Sequence, residues 1–192
     1  MVENPDNLYS VEQLIFPTLM SRMCCGYLPS VYIEYFRDKI LPKRESNRVN
    51  RIFISRAKTQ LRRMVNEDDI FEALKPHGFK KYFLEDLSIE EEIDLFYDAD
   101  YVVGTFGAGL TNIIFSHKIK VLELSPSQFV DPCFYYLAKS FGHTYGYCNG
   151  YCDKHNIKSD IWSVHKADFR VNVSEVVERL LELESKHQQM SC

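Results

Sequence analysis

Three glycines within six residues form the part of the sequence with the clearest capacity to bind a ligand: Gly104-Thr105-Phe106-Gly107-Ala108-Gly109. Glycine allows close approach of a ligand to the backbone, and the apolar run Leu110–Phe115 predicts a helix whose first N–H groups would face an anion. The segment lacks the G-x-G-x-x-G spacing of dinucleotide-binding loops and the Lys and Ser/Thr of a P-loop. The glycines alone therefore leave two interpretations open, an anion-binding turn and a tight packing turn.

Two charged residues accompany predicted strands. Arg56 follows the largely apolar run Arg51–Ser55, where its guanidinium could form paired hydrogen bonds with a phosphate. Glu123 lies within the apolar run Val121–Leu124, where a carboxylate near a strand end could accept hydrogen bonds from a ribose. Each residue also has a simpler interpretation, Arg56 as a surface residue and Glu123 as an exposed residue of an edge strand.

No arrangement of nucleophile and base is recognisable, so no catalytic residue is assigned. The six histidines are scattered along the chain, at His77, His117, His143, His155, His165 and His187. Cys148 and Cys152 have His143 and His155 nearby, but their spacing is not that of a zinc-binding pair and no second pair follows. We therefore expect reduced structural thiols and no metal site.

Apolar and polar residues are patterned so that strands and helices are predicted in turn. The predicted strands are residues 51–56, 79–84, 99–103, 120–124 and 145–147. The predicted helices are Tyr32–Leu41, a helix from Asn66 to the stop at Pro76-His77-Gly78, a helix opened by the capping box Ser88–Glu91, Leu110–Phe115, Phe134–Phe141, and Glu175–Glu184 capped by Ser174. This order indicates an α/β fold, a Rossmann-like, doubly wound and mostly parallel sheet with helices on both faces. Such sheets bind ligands beyond the carboxyl ends of their strands, where Arg56 and the glycines fall.

The composition excludes several classes of protein. A length of 192 residues fits one domain, and 45% hydrophobic residues with a net charge of −4 exclude a disordered tail. The longest stretch without a charged residue, Tyr101–His117, contains three glycines and is a poor membrane span. We therefore expect no membrane segment in this chain.

The small net charge hides two oppositely charged segments. Lys39–Arg63 carries nine basic residues against Glu45, and Glu67–Asp100 carries twelve acidic residues against three lysines. The basic segment suits either a solvated face or a bound diphosphate. Nucleic acid is not expected, because Phe53 is the only aromatic residue in this segment and single-strand binding relies on aromatic stacking.

Five segments taken together resemble the C-terminal domain of glycosyltransferase family 61. They are Arg51-Ile52-Phe53-Ile54-Ser55-Arg56, Arg62-Arg63-x-x-Asn66-Glu67, Leu84-Glu85-Asp86-Leu87-Ser88, Gly104-x-x-Gly107-Ala108-Gly109-Leu110-Thr111-Asn112 and Val121-Leu122-Glu123-Leu124. Their order and spacing fit the family over roughly residues 35–150.

The resemblance implies the C-terminal, donor-binding half of a GT-B enzyme that transfers a sugar with inversion from a UDP-sugar to a hydroxyl of a glycan or protein. It implies no cofactor and no required metal. Residues 51–192 would form the nucleotide-sugar-binding domain, and residues 1–50 an irregular remnant of the interdomain region. The expected partner is a separate N-terminal acceptor domain. The compartment would be the cytoplasm for a bacterial or viral protein and the ER or Golgi lumen for part of a longer eukaryotic enzyme.

The resemblance also assigns residues to the donor. Arg56 and Arg63 would neutralise the diphosphate, the amides of Gly107–Thr111 would donate to it, Glu123 would hold the ribose, and Glu85–Leu87 would line the base pocket. The full expected donor-binding set is Arg56, Arg63, Asp86, Leu87, Gly107, Ala108, Gly109, Leu110, Thr111, Asn112 and Glu123.

One position departs from the family pattern. The family loop reads G-x-H-G-A-G, and Phe106 stands where the histidine is expected. Phe106 removes a hydrogen-bond donor from the loop. It therefore supports a second hypothesis, a catalytically inactive domain that binds a nucleotide sugar or a partner. An NAD enzyme is a weaker hypothesis, because no G-x-G-x-x-G follows the first strand.

Overall fold

The computed structural model describes residues 28–126, 131–152 and 167–190. The strands are β1 (Asn50–Ile54), β2 (Lys80–Tyr82), β3 (Ala99–Thr105), β4 (Lys120–Pro126), β5 (Thr144–Tyr151) and β6 (Arg170–Val171). The α-helices are α1 (Ser30–Ile40), α2 (Glu67–Leu74), α3 (Ile89–Tyr97), α4 (Cys133–Ser140) and α5 (Val173–Met190). Lys75–His77, Leu84–Asp86 and Ala108–Phe115 are 3-10 helices.

The described strands form one six-stranded sheet in the order β2-β1-β3-β4-β5-β6. The first five strands are parallel, and β6 pairs with β5 in the antiparallel direction. The chain steps from β1 outward to β2 and then returns to the other side of β1 to form β3. The strand order therefore reverses between β1 and β3, which makes this the switch point of the sheet. The predicted Rossmann-like, mostly parallel α/β fold is confirmed.

Residues along each central strand alternate between two hydrophobic cores, as a pleated strand requires. Ile52, Val102 and Val121 pack with α1, α3, α4 and the 3-10 segment Ala108–Phe115. The opposite face buries their neighbours on the strands against α2 and α5, in a core that includes Phe53, Val103, Leu122, Ile70, Leu74, Val176 and Leu180. Helical elements thus cover both faces, as the sequence predicts.

Local capping signals in the sequence have mixed outcomes. The Ser88 capping box is present, with Ser88 and Glu91 exchanging hydrogen bonds, and Gly78 ends its turn at φ 83° in the left-handed region. Asn66 directly precedes α2, but its side chain does not cap the helix because it bonds the backbone of Val171 instead. Asn172 rather than Ser174 caps α5, since the Asn172 Oδ1 accepts from the Ser174 N–H at 2.9 Å.

The two oppositely charged segments fold against each other. Arg44 pairs with Asp94 and Asp98 at 3.1 and 2.8 Å, and Lys58 pairs with Asp86. These pairs tie the segments around β1 to α3 and to the turn after β2. No helix of the described residues is long and apolar enough to cross a membrane.

His143 joins two elements of the first core. Its Nε2 lies 2.9 Å from the carbonyl oxygen of Ile113, and its Nδ1 accepts from the Ile119 N–H at 3.2 Å. Burial lowers the pKa of His143 to about 4. Both ring nitrogens are therefore committed to the backbone. Cys148 and Cys152 lie in the core of the opposite face, and no group of three metal-ligating side chains occurs in the described parts of the chain. His155 and His165 lie outside the described residues.

We expect His143 to make stability depend on pH. Between about pH 6.5 and pH 4 the unfolded chain binds a proton at this residue and the folded protein does not, so stability falls as the pH falls, by at most about 3 kcal/mol. A protonated Nδ1 would also face the Ile119 N–H, donor against donor. Urea unfolding of the wild type and His143→Gln across this range tests it. The variant should be less stable near neutral pH and lose less on acidification.

The control for this experiment is His77→Gln, at a partly exposed histidine. It should keep the wild-type pH dependence. The assignment to His143 is contradicted if His143→Gln loses stability on acidification as steeply as the wild type does.

Candidate functional site

The candidate site lies where β1 and β3 end side by side. Ile54 is in register with Gly104, so the residues that follow the two strands leave the sheet next to each other. This edge is the carboxyl end of the sheet at the switch point, where ligands of doubly wound folds bind.

The Arg56 guanidinium packs directly on Gly107. A Cβ on Gly107 would overlap Nη1 of Arg56. Only glycine therefore allows the guanidinium to approach the backbone so closely. The backbone of Gly107 is extended, at φ 161°, so no left-handed conformation is involved. At Gly104 and Gly109 an added Cβ would instead lie 3.1–3.3 Å from side-chain atoms of Ile54, Leu110 and Leu84, so these two glycines allow tight packing. The packing interpretation therefore holds at Gly104 and Gly109, while Gly107 at the centre of the segment contacts an arginine.

The backbone of Arg56 is held by Glu67, the first residue of α2. The Arg56 N–H donates to Glu67 Oε2 at 2.9 Å, and the Ser55 hydroxyl donates to Oε1. Both Ser55 and Glu67 are buried. The negative charge also suits the amino end of a helix. Sequence reasoning missed this role, although an acidic residue beside Asn66 in the family motif was a usable signal.

A second arginine, Arg62, reaches the same loop. Its Nη1 donates to the Phe106 carbonyl at 2.8 Å, and its guanidinium lies 5.0 Å from the centre of the Phe106 ring. The Phe106 ring in turn packs edge-on against Phe134, 5.3 Å away. Arg62 adopts φ 57°, an unfavourable left-handed conformation for a non-glycine residue. Such outliers concentrate at functional sites.

Arg56 and Arg62 place two positive charges close together in half-buried positions. Burial lowers the pKa of both guanidinium groups, and the charge of Arg56 lowers that of Arg62 further. Glu85 and Glu67 act in the opposite direction on Arg56. The Arg56 Nε and the Thr105 hydroxyl are buried without a hydrogen-bond partner among the described residues. An anion placed here would offset the repulsion and could accept from these donors.

Arg63, assigned to the donor by resemblance, is bonded to Asp168. Its Nη2 and Nε donate to Asp168 at 2.6 and 3.1 Å, and its backbone N–H donates to the same carboxylate at 2.9 Å. Arg63 thus ties its loop to the segment before β6. Arg62, which sequence reasoning did not select, is the neighbour that contacts Phe106.

The segment after Gly107 is a 3-10 helix rather than the predicted helix over 110–115. Its first bond runs from the Leu110 N–H to the Gly107 carbonyl at 3.0 Å. The Ala108 and Gly109 N–H groups precede that bond, and helix starts leave such donors available. Leu110 is buried in the core, Thr111 is exposed, and the Asn112 amide donates to Glu92 on α3.

The turn that was expected to line the base pocket stands beside the loop after β1. Asp86 pairs with Lys58 of that loop, and Lys58 also lies 4.8 Å from the centre of the Phe83 ring. Leu87 is partly buried against the first core, with its N–H bonded to the Leu84 carbonyl at 3.1 Å.

Glu123 is buried in the middle of β4, in register with Gly104. Its Oε2 accepts a hydrogen bond from the Tyr145 hydroxyl at 2.7 Å. Burial raises the pKa of Glu123 to about 7, Tyr145 opposes that rise, and the charge of Asp131 adds to it. The simpler interpretation of Glu123 as an exposed edge residue is therefore wrong.

Comparison with known families bears on this site. The family model described as Glycosyltransferase 61 matches residues 1–122, well over half of the chain. The chain belongs to glycosyltransferase family 61. The matched region includes Arg56, Arg62 and the glycine-rich segment, and it ends one residue before Glu123. Family membership supports glycosyltransferase function in general. A search of curated proteins found no match.

Replacing Gly107 by Ala should displace the Arg56 guanidinium at little cost to folding. The atom that the new Cβ meets is the end of a flexible side chain. We expect a loss of unfolding free energy below the ~1–3 kcal/mol typical of overpacked cores. Gly150→Ala is the contrasting variant, because its Cβ would meet the Phe169 ring and lie 2.9 Å from the Arg170 carbonyl oxygen. Urea unfolding measures both. Equal losses would contradict the assignment of Gly107 to the Arg56 contact.

Proposed function

We propose that this chain binds the nucleoside diphosphate of a UDP-sugar at the switch point and serves the inverting transfer of the sugar to a hydroxyl of a glycan or protein. The observation that carries the proposal is the convergence of Arg56 and Arg62 on Phe106-Gly107 at the carboxyl edge of the sheet. Two half-buried guanidinium groups at this edge suit a diphosphate better than a neutral ligand.

The residues suit a transfer that uses no metal and no cofactor. The acceptor oxygen attacks the anomeric carbon on the face opposite the diphosphate, and the bond from that carbon to the phosphate oxygen breaks. The electron pair leaves with UDP, so negative charge develops on the diphosphate. Arg56, Arg62 and the first amides of the 3-10 segment would stabilise that charge. The acceptor proton passes to a general base, which we assign to the partner acceptor domain.

The ribose and the base of the nucleotide would contact neighbouring elements. Glu123 on β4 would accept from the ribose hydroxyls, and the turn Glu85–Leu87 would contact the base. The contact of Arg56 with Gly107 supports this arrangement, because the amides of Ala108 and Gly109 follow directly in the chain. Arg63 remains part of the proposed set as a residue that orders the loop carrying Arg62.

Removing either converging guanidinium should weaken binding of the diphosphate. Arg56→Gln and Arg62→Gln should each lower the affinity for UDP and for inorganic pyrophosphate about tenfold or more, the usual value of a charge-assisted hydrogen bond. Isothermal titration calorimetry measures both ligands. Affinity in the wild type should also fall with added salt, because the attraction is electrostatic.

Two further variants define this result. Arg179→Gln is the matched control, since Arg179 is exposed on α5, pairs with Glu182, and its variant should bind UDP as the wild type does. Arg63→Gln should affect binding less than Arg62→Gln, because Arg63 is held by Asp168. A folded wild type that binds neither UDP, UDP-GlcNAc nor UDP-xylose would refute the donor site.

A catalytically inactive binding domain is the second candidate function, and Phe106 is the observation that favours it. A phenyl ring has no hydrogen-bond donor to offer a diphosphate. The ring of Phe106 is instead packed against Phe134 and Arg62.

UDP release separates the two functions. If the domain is catalytic, Phe106→His should raise the rate of UDP release from a UDP-sugar, because an imidazole adds a donor to the leaving group. A coupled assay for UDP, run with the acceptor domain present, measures the rate for wild type and variant. UDP binding without release from either protein would favour the inactive domain. Phe106→Leu is the control for loss of the ring.

A further inference from the structure

A second pocket lies at the edge of the sheet opposite to the candidate site. Its lining comes from residues 44–48 before β1, from Tyr97 just before β3, and from His117 and Lys118 before β4. These three strands are adjacent and parallel, so their amino ends meet at one edge. A strand of five residues such as β1 spans roughly 17 Å. The pocket is therefore separate from the site around Arg56.

Three cations surround His117 in this pocket. Lys118 is its neighbour in the chain, and Arg48 donates from Nη2 to the Lys118 carbonyl at 2.9 Å. Arg37, on α1, lies close enough for its charge to act on the imidazole. Burial lowers the pKa of His117, and the charges of Arg37, Lys118 and Arg48 lower it further. The protein thus concentrates positive charge at His117, where an anion would be attracted.

The backbone of this pocket is strained at two positions. Arg48 adopts φ 49° and Lys118 adopts φ 51°, both in the left-handed region that non-glycine residues avoid. The third such residue in the described part of the chain is Arg62 of the candidate site. Arg48 and Lys118 are exposed, so burial of their side chains does not account for the strain. Strained residues side by side on a pocket wall are typical of a binding site.

Hydrogen bonds hold the wall of the pocket in place. The Ser46 hydroxyl donates to the Tyr97 carbonyl at 2.7 Å, and the Tyr97 hydroxyl donates to the Arg44 carbonyl. The Arg44 guanidinium is bound by Asp94 and Asp98 at 3.1 and 2.8 Å, so these carboxylates already offset its charge. Arg44 therefore serves the wall rather than a ligand.

The pocket is larger than an inorganic anion requires. Its volume is about 460 Å³, within the range of about 300–1,000 Å³ that is usual for small-molecule sites. A guanidinium, an ammonium and an imidazole together suit the oxygens of a phosphate or sulfate group. The remaining space would accommodate a sugar that carries such a group.

We propose that this pocket binds a phosphate or sulfate group carried by a sugar, between Arg48, His117 and Lys118, at a site separate from the donor site. The inference does not require the proposed function, because the two sites share no residue. Glu45 is the acidic residue of the lining and would weaken the attraction.

The test follows the pKa of His117 by NMR in sodium sulfate and in sodium chloride of equal ionic strength. Both salts screen the neighbouring cations, but a bound sulfate also favours the imidazolium, so the pKa should rise further in sulfate and reach a plateau. Sulfate should in turn bind more tightly as the pH falls and His117 takes up a proton. His117→Asn assigns the signal, and His77 is the internal reference.

Variants with opposite expected effects locate the anion. Arg48→Gln and Lys118→Gln should each weaken sulfate binding about fivefold, the upper value for an exposed charge pair. Glu45→Gln should strengthen it, because a repelling carboxylate is removed. Arg179→Gln is the control at an exposed arginine outside the pocket and should bind sulfate as the wild type does. Arg56→Gln should leave the sulfate response of His117 unchanged.

A comparison of ligands shows whether the anion belongs to a sugar. N-acetylglucosamine 6-sulfate should bind about tenfold more tightly than inorganic sulfate, because the sugar fills the rest of the pocket. N-acetylglucosamine without the sulfate should not change the pKa of His117. Equal affinities for inorganic sulfate and the sulfated sugar would contradict the sugar and assign the pocket to a free oxyanion.

The site itself is refuted if sulfate moves the pKa of His117 no more than chloride does, or no more than it moves that of His77. Unchanged sulfate affinity in Arg48→Gln and Lys118→Gln would also refute it. If Arg48→Gln does not fold, Lys118→Gln and Glu45→Gln decide through their opposite effects. Failure of the wild type to bind UDP would refute the donor site and leave this inference standing.

Discussion

The buried carboxylate of Glu67 is the constraint on which the candidate site depends. It accepts from the Ser55 hydroxyl and from the Arg56 N–H, and so joins the end of β1 to the first residue of α2. Lys81 lies 3.6 Å from the same carboxylate, and loss of these partners would leave a buried charge uncompensated, which is strongly unfavourable. Because the Arg56 backbone is held in this way, its guanidinium is directed across the switch point onto Gly107.

Charge separation along the sequence becomes charge pairing in the fold. Arg44 and Lys58 of the basic segment pair with carboxylates of the acidic segment and hold α3 and the turn after β2 near β1. Arg56 and Arg62 instead converge on the loop after β3. The basic residues therefore have two roles: some fasten elements together through ion pairs, and Arg56 and Arg62 concentrate positive potential at one edge of the sheet.

Phe106 shows how one substitution changes the role of a loop position. The family pattern expects a polar side chain there, but the aromatic ring lies under Arg62 and against Phe134. Its carbonyl still accepts from Arg62. The carbonyl of Phe106 thus binds Arg62 while its ring serves packing. Arg62 gains a cation–π contact and a fixed direction from the same residue.

Local sequence patterns predict much of the fold but only some residues of the candidate site. The apolar runs that predict β1 to β4, and the Ser88 capping box, depend on neighbouring residues and are confirmed. The two-residue strand β6 was not predicted, since it depends on its pairing with β5 and on Asn66, which lies 105 residues from Val171. Sequence reasoning missed Arg62. Its left-handed backbone conformation, which turns its side chain toward Phe106 while Arg63 binds Asp168, has no signal in the sequence.

The sequence by itself determined the alternation of strands and helices, the family, and the location of Arg56 and the glycines at the ends of strands. These features depend on short-range periodicity and on motifs of a few residues. The tertiary structure alone decided which of two adjacent arginines contacts Phe106, and that Glu123 is buried against Tyr145, 22 residues later. Such pairs arise from strand order and register, which bring distant residues together through crossovers that local sequence does not encode.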